Sequence, residues 1–218
     1  MKISKETINI LKNYVTISNH LRIYPGNELS TISPNTGIYA KINVAETFPN
    51  EVNIHELNSF LAVLAYMENQ DIEFGDKSLK ITGNGSTIEY RYSEPENIIA
   101  PPYGKTIEVD THYQFTLTAA DIHMLIRAAA ITSAEHIVIE AKNNEVILSV
   151  SGKESAVSQS KNLGVSPLTF NALLNVENFK VLPETYTVTL SKMKFLHFRP
   201  TVDTVPQYWI GLDPKSVI

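Results

Sequence analysis

Glu56-Leu-Asn-Ser-Phe-Leu-Ala-Val-Leu-Ala-Tyr-Met67, running on to Asp71-Ile-Glu-Phe74, and Ala120-Asp-Ile-His-Met-Leu-Ile-Arg-Ala-Ala-Ala-Ile131, running on to Glu135-His-Ile-Val-Ile-Glu140, share one pattern. In the first, Leu57, Phe60, Leu61 and Leu64 fall at i, i+3, i+4 and i+7, one stripe of a helix with 3.6 residues per turn. Ile122, Leu125, Ile126 and Ala129 repeat that spacing. The strands keep step, because Ile72 and Phe74 stand as far beyond Leu57 as Ile137 and Ile139 stand beyond Ile122. One offset of 65 residues maps six apolar positions onto six. A single amphipathic helix beside a strand carries little information, but a register held through helix, connection and strand predicts a duplicated helix-plus-sheet domain.

Length and composition agree. A chain of 218 residues is long for one domain and comfortable for two of about 100 each. With 43% hydrophobic and 19% charged residues, each half can bury a core. No apolar run approaches the ~18 residues of a membrane span. Met1-Lys-Ile-Ser-Lys-Glu has no signal-peptide core, so a soluble intracellular protein is expected. The absence of cysteine fits a reducing compartment and removes disulfides, thiolate nucleophiles and cysteine-based zinc sites. A net charge of −5 argues against holding nucleic acid by bulk electrostatics, so any basic surface must be local.

Ser4 is the expected N-cap of a helix reaching about Tyr14, with Ile8, Leu11 and Val15 as its core stripe. Lys5 and Lys12 lie on one line beside that stripe, and Asn9 and Asn13 complete the polar face. A solvated face is the alternative reading of those lysines. Strand patterns follow at 21–24, 29–32 and 38–44, then a helix over 53–67 and strands at 72–74, 79–82 and 87–92, with Gly83-Asn84-Gly85 turning the last hairpin. Residues 93–104 hold three prolines and a glycine and read as an extended connector, dividing the chain into domains at 1–104 and 105–218. In the second half a strand at 115–118 leads to a helix capped by Thr118 and Asp121. Asn143-Asn144 turns a hairpin between 137–140 and 146–150. Strands at 155–161, 167–170, 186–190, 193–198 and 208–212, with a brief helix near 175–180, complete an α+β chain of two similar domains, each with two helices and antiparallel sheets.

Chemical motifs are missing. His55-Glu56 opens like a zinc-protease helix, but Ser59 stands where the second histidine is needed. His123, His136 and His197 are single residues on a helix or strands. Gly83-Asn84-Gly85 lacks the third glycine of a dinucleotide loop and the Lys-Ser/Thr of a phosphate loop. Asp71 and Glu73 flank Ile72 on the outer face of a strand, the usual place for solvating charge. No nucleophile stands with a base and orienter. No catalytic residue, metal ligand or cofactor is assigned, and the chain is not expected to be an enzyme.

Met1-Lys-Ile-Ser-Lys-Glu-Thr7, Leu11-Lys-Asn13, Glu56-Leu-Asn-Ser-Phe-Leu61, Ser86-Thr-Ile88, Ile98-Ile-Ala-Pro101, Ala120-Asp-Ile122 and the segment from Leu182-Pro183 to Leu190 form a collinear set. That set resembles the DNA polymerase sliding clamps of T-even-type bacteriophages, from the first residue to about Ser216. Residues 191–207 depart most from the pattern, and no partner contact is carried over there. The resemblance implies the DNA-clamp fold, assembled as a homotrimeric ring around duplex DNA in the cytoplasm of an infected bacterial host. It also implies a clamp-loader ATPase, a replicative DNA polymerase tethered by a terminal peptide, and late-transcription factors acting with host RNA polymerase as partners.

Under that resemblance Lys5, Lys12 and Arg127, with Lys2 and Lys180, are the candidate DNA-facing residues; Arg127 points away from the apolar stripe of its helix. The subunit contact is expected between strands at 87–92 and 155–161, with Thr87, Tyr90 and Tyr92 on one side and Ala156 and Ser158 on the other. The partner groove is expected at Ile98, Ile99, Tyr103, Tyr208 and Trp209, with burial in the subunit's own core the alternative for the last two. Two other classes stay open: a non-enzymatic β-rich adaptor or virion structural protein, and an enzyme whose site is assembled from scattered residues.

Overall fold

The structure is a computed structural model and describes residues 1–67, 69–152 and 157–218. The chain divides into two compact units, Met1–Lys105 and Thr106–Ile218.

The first unit runs α1 (Lys5–Ile17), β1 (Leu21–Ile23), β2 (Gly26–Ile32), β3 (Ile38–Phe48), β4 (Val52–Ile54), α2 (Leu57–Tyr66), β5 (Asp71–Phe74), β6 (Ser78–Gly83) and β7 (Ser86–Arg91). All its ladders are antiparallel: β1 with β4, β2 with β3, and β5-β6-β7. α1 is rotated from the expected stripe. It buries Thr7, Ile10, Leu11, Asn13, Tyr14 and Ile17, while Ile8 and Val15 stay half-exposed. Tyr14 decides the rotation, because its ring is fully buried and its hydroxyl donates to the Leu29 carbonyl at 3.1 Å. Asn13 accordingly leaves the polar face.

α2 begins at Leu57 because 52–54 are committed to pairing with β1, Leu21 opposite Ile54 and Ile23 opposite Val52. Glu56 gives no side-chain cap, and Asn19 supplies one from outside the helix. Its carbonyl accepts the Leu57 N–H at 2.8 Å and its side-chain oxygen accepts the Asn58 N–H at 2.9 Å. Leu57, Phe60 and Leu64 are buried as expected, with Leu61 at the margin.

The second unit runs β8 (Tyr113–Leu117), α3 (Ala119–Thr132), β9 (His136–Lys142), β10 (Glu145–Ser151), β11 (Ser158–Val165), β12 (Phe170–Asn175), a 3-10 turn (Val176–Asn178), β13 (Tyr186–Ser191), β14 (Phe195–Pro200) and β15 (Gln207–Gly211). One sheet has the order β11-β10-β9-β12, and the other β15-β14-β13-β8. Asn143 and Asn144 take φ of 53° and 63° to turn the β9–β10 hairpin, as their sequence predicts. α3 packs on the first sheet through Ile122, Leu125, Ala128 and Ala129 against the face carrying Ile137, Ile139, Val146 and Leu148. Ile126 is not in that stripe and is 44% exposed. The other sheet centres on Tyr186, whose ring meets Phe198 at 5.9 Å and Tyr208 at 6.1 Å.

Two expectations need correction. The fourth helix, near 175–180, is only a single 3-10 turn, because β12 extends to Asn175 and consumes its start. The duplication is real, but its register differs. The first unit reads helix, four strands, helix, three strands; the second, after β8, reads helix, four strands, 3-10 turn, three strands. α1 therefore corresponds to α3, and α2 to the 3-10 turn. The offset of 65 residues matched two amphipathic helices from different places in the repeat, since any helix followed by a strand carries that spacing.

Leu148→Ala, in the middle of β10 and 2% exposed, should cost roughly 2–5 kcal/mol of stability. Ile131→Ala, at a residue of α3 that is 73% exposed, should stay within about 0.5 kcal/mol. Urea midpoints at constant slope check both.

Candidate nucleic-acid and subunit interface

The polar face of α1 presents Lys5, Asn9, Lys12 and Thr16 to solvent on one line, and Lys2 is exposed just before the helix. The N-terminus of α1 is fixed twice. The Ser4 hydroxyl accepts the Thr7 N–H at 3.1 Å, and the buried Glu46 carboxylate, reaching from β3, accepts the Ser4 N–H at 2.5 Å and the Thr7 hydroxyl at 2.6 Å. Burial pushes the Glu46 pKa up, but the hydrogen bonds from Ser4 and Thr7 outweigh burial and hold it below the ordinary value.

α3 is fixed in the corresponding way by a capping box. The Thr118 hydroxyl accepts the Asp121 N–H at 3.2 Å, and Asp121 Oδ2 accepts the Thr118 N–H at 2.9 Å. Arg127 is exposed on this helix beside His123 and Ala130. The two corresponding helices thus share a carboxylate-locked N-terminus and an exposed cationic face, whereas α2 carries no charged side chain. Lys180 is half-buried just after the 3-10 turn and belongs to neither face. Glu46 was missed in the sequence because its partners lie 42 and 39 residues away.

The strands chosen for a subunit contact both end sheets. In the β5-β6-β7 sheet the β5 edge is covered by Met1, whose carbonyl accepts the Ile72 N–H at 2.8 Å and whose nitrogen donates to the Ile72 carbonyl at 2.7 Å. In the β11-β10-β9-β12 sheet the β12 edge is covered by Val217, which exchanges backbone bonds of 2.8 and 2.9 Å with Asn171. The opposite ends, β7 and β11, have no further strand in these sheets among the described residues. Thr87 and Ser158 are exposed on these edges. Tyr90 and Tyr92 are half-buried; Tyr90 lies edge-on to Phe60 at 5.4 Å. The Tyr92 N–H bonds back to Lys77 at 2.9 Å, so Thr87, Glu89 and Arg91 turn their backbone groups outward. Ala156, with the start of the expected strand, lies outside the described residues; β11 itself begins at Ser158.

The expected partner groove divides. Ile98 is buried and Ile99 is 40% exposed. Tyr103 is 69% exposed and packs on the Tyr24 ring at 4.8 Å, and both line a cleft of about 270 Å³ with Pro25, Asn27 and Asn43. The connector is tied down by side chains of one face of the β1 region. His20 Nδ1 accepts the Ile99 N–H at 3.1 Å, Arg22 donates to the Pro95 carbonyl, and Tyr24 meets Tyr103. Tyr208 is fully buried, its hydroxyl oxygen accepting the Leu182 N–H at 3.3 Å, so it is a core residue and not a groove residue. Trp209 is half-buried and stacks on His197 at 4.6 Å. Among the described residues no three metal-binding side chains cluster, and no helix is long and apolar enough to cross a membrane.

Glu46→Gln should lower stability at neutral pH by roughly 1–3 kcal/mol. Because the folded pKa is depressed, the wild-type advantage is full above the ordinary value of 4.5 and fades as pH falls through the folded value. Denaturant midpoints of the two proteins should therefore converge in acid, and a gap independent of pH would contradict the assignment.

Residues 4–100 match the family described as DNA polymerase processivity factor. The chain is 30% identical over 201 residues to the sliding clamp of Enterobacteria phage T4, covering 87% of each chain. It is 24% identical over 199 residues to the sliding clamp of Vibrio phage KVP40, covering 87% of this chain and 90% of that one. In fold it resembles the proliferating cellular nuclear antigen of Entamoeba histolytica, with a TM-score of 0.70 at 13% identity over 95% and 94% of the two chains. The DNA polymerase III β subunit of Pseudomonas aeruginosa gives 0.70 at 11% identity, over 96% of this chain and 63% of that one. With the matching fold and relatives of nearly the same span, the chain belongs to the phage sliding clamps, the processivity factors of DNA polymerases.

Proposed function

We propose that this processivity factor works as a head-to-tail homotrimeric ring that encircles duplex DNA and tethers the replicative polymerase of an infected bacterial cell, as a scaffold and not as an enzyme. The observation that carries the reading is the pair of unlike open edges. Each of the two sheets has one edge covered by the chain itself and one, β7 or β11, without a further strand among the described residues. Open edges invite strand addition. Since the two are different surfaces, their pairing is heterologous and must close into a ring or run on as a filament. The number three comes from the resemblance to T-even clamps, as do a loader ATPase that opens the ring and a share in late transcription.

DNA contact is assigned to Lys5, Lys12 and Arg127, with Lys2 beside them. Lys180, half-buried, is the weakest member of the set. Three copies of a chain at −5 cannot attract phosphate as a body, so affinity must come from these faces and retention from topology. Each phosphate neutralised adds roughly 0.9 to the salt slope, without base reading. The cleft at Tyr24 and Tyr103, with Ile99 beside it on the connector, is the proposed seat of the polymerase peptide.

Rings loaded on closed circular DNA should survive salt that abolishes equilibrium binding to short duplexes, and should be lost once the circle is cut. Equal loss from circles and linear DNA contradicts encirclement. Replacing Lys5, Lys12 and Arg127 together by alanine should impair loading and processivity with solution mass unchanged. Ser158→Pro should give folded single chains, because it places a residue without an N–H and with fixed φ at the start of the pairing strand. Tyr103→Ala should weaken polymerase-peptide affinity by about tenfold or more while sparing assembly, as loss of a packed interface aromatic does. Unchanged peptide affinity moves the groove elsewhere.

A further inference from the structure

We propose that β11 is the yielding half of the subunit contact, and that the Lys161–Asp121 ion pair is the latch that holds it to its own unit. The proposal rests on the ring reading above. Its starting point is a difference in what lies under the two open edges.

β11 has no buried side chain. Its inward positions are Gln159, Lys161 and Leu163, all half-buried, and the rest of the strand is exposed. The other strands of that sheet bury full sets: Ile137, Ile139 and Ala141 on β9, Val146, Leu148 and Val150 on β10, Phe170, Ala172 and Leu174 on β12. Hydrophobic burial therefore fixes three strands and leaves the fourth to polar contacts. Its ladder to β10 is interrupted by an irregularity at Val146 and Ile147, opposite Gly164 at a φ of 119°.

Among the described residues, two long-range polar contacts tie the strand to its unit. The Tyr113 hydroxyl donates to the Leu163 carbonyl at 3.2 Å. Lys161 Nζ meets Asp121 Oδ1 at 2.6 Å. Asp121 belongs firmly to α3, since its other oxygen takes the Thr118 N–H and hydroxyl, and a carboxylate is favoured in the first turn of a helix. Breaking the pair thus frees the strand and not the helix. β7 is held differently. Its Ile88 lies opposite the buried Ile81, and its Tyr90 packs on Phe60 and donates to the Glu56 carbonyl at 3.5 Å.

When a ring contact is strained, β11 should leave β10 before β7 leaves β6. Lys161 and Asp121 are then positioning residues: they hold the pairing strand in place, in register with the helix that carries Arg127.

The test is amide hydrogen exchange of the full-length protein, read by mass spectrometry, in wild type, Lys161→Met and Lys161→Arg, with solution mass measured on the same samples. In Lys161→Met, amides of 158–165 should exchange severalfold faster, the scale of a partly exposed ion pair. Amides of 86–91 and of the buried β9 should keep their rates, which separates release of one strand from general destabilisation. Lys161→Arg should restore protection. Unchanged exchange over 158–165, or equal acceleration over 86–91, overturns the latch. A wild-type mass of one chain overturns the ring reading instead, and with it any role for β11 in a subunit contact.

Discussion

A backbone N–H or C=O that faces no partner is the constraint on which this structure turns. Antiparallel sheets cover their broad faces with side chains and helices, but each flat sheet still ends in two strands with half their hydrogen-bonding groups unspent. Here the chain covers one end of each of two sheets with its own residues, Met1 against β5 and Val217 against β12. Among the described residues it leaves β7 and β11 at the opposite ends. The proposed head-to-tail pairing follows from those two ends being unlike, and the number of subunits from the family.

The second organising feature is the treatment of the two corresponding helices. α1 and α3, whose exposed faces carry the proposed DNA contacts, both have the N–H of their N-cap residue bound by a carboxylate. In one unit the acid comes from a strand and in the other from the helix itself. The same function is met by Glu46 across the fold and by Asp121 within one turn. In both helices the carboxylate sits at the N-terminus and the lysines or arginine lie on the exposed face.

The sequence made the class, the two-unit division and nearly all strands legible, because apolar alternation and turn residues such as Asn84-Gly85 and Asn143-Asn144 act locally. What it hid depends on distance. The rotation of α1 is set by Tyr14 reaching Leu29, the start of α2 by Asn19 and by β1 pairing with 52–54, and Tyr208 is consumed by contacts to Tyr186 and Leu182. Ile126 looked like core by spacing alone, yet α3 turns Ala128 and Ala129 inward and leaves Ile126 44% exposed. The candidate cations on helices were legible because exposure follows period, while the groove residues were not, because nothing local separates an apolar residue in a cleft from one in a core.

Asn19 has a mechanical meaning. It closes the gap between the end of α1 and the start of α2, binding the first two N–H groups of the second helix from the loop that leaves the first. The two helices are therefore tied through one residue, and separating them leaves those donors without their partner. In the proposed ring, whose DNA face includes α1, that tie couples a lysine-bearing helix to its uncharged neighbour.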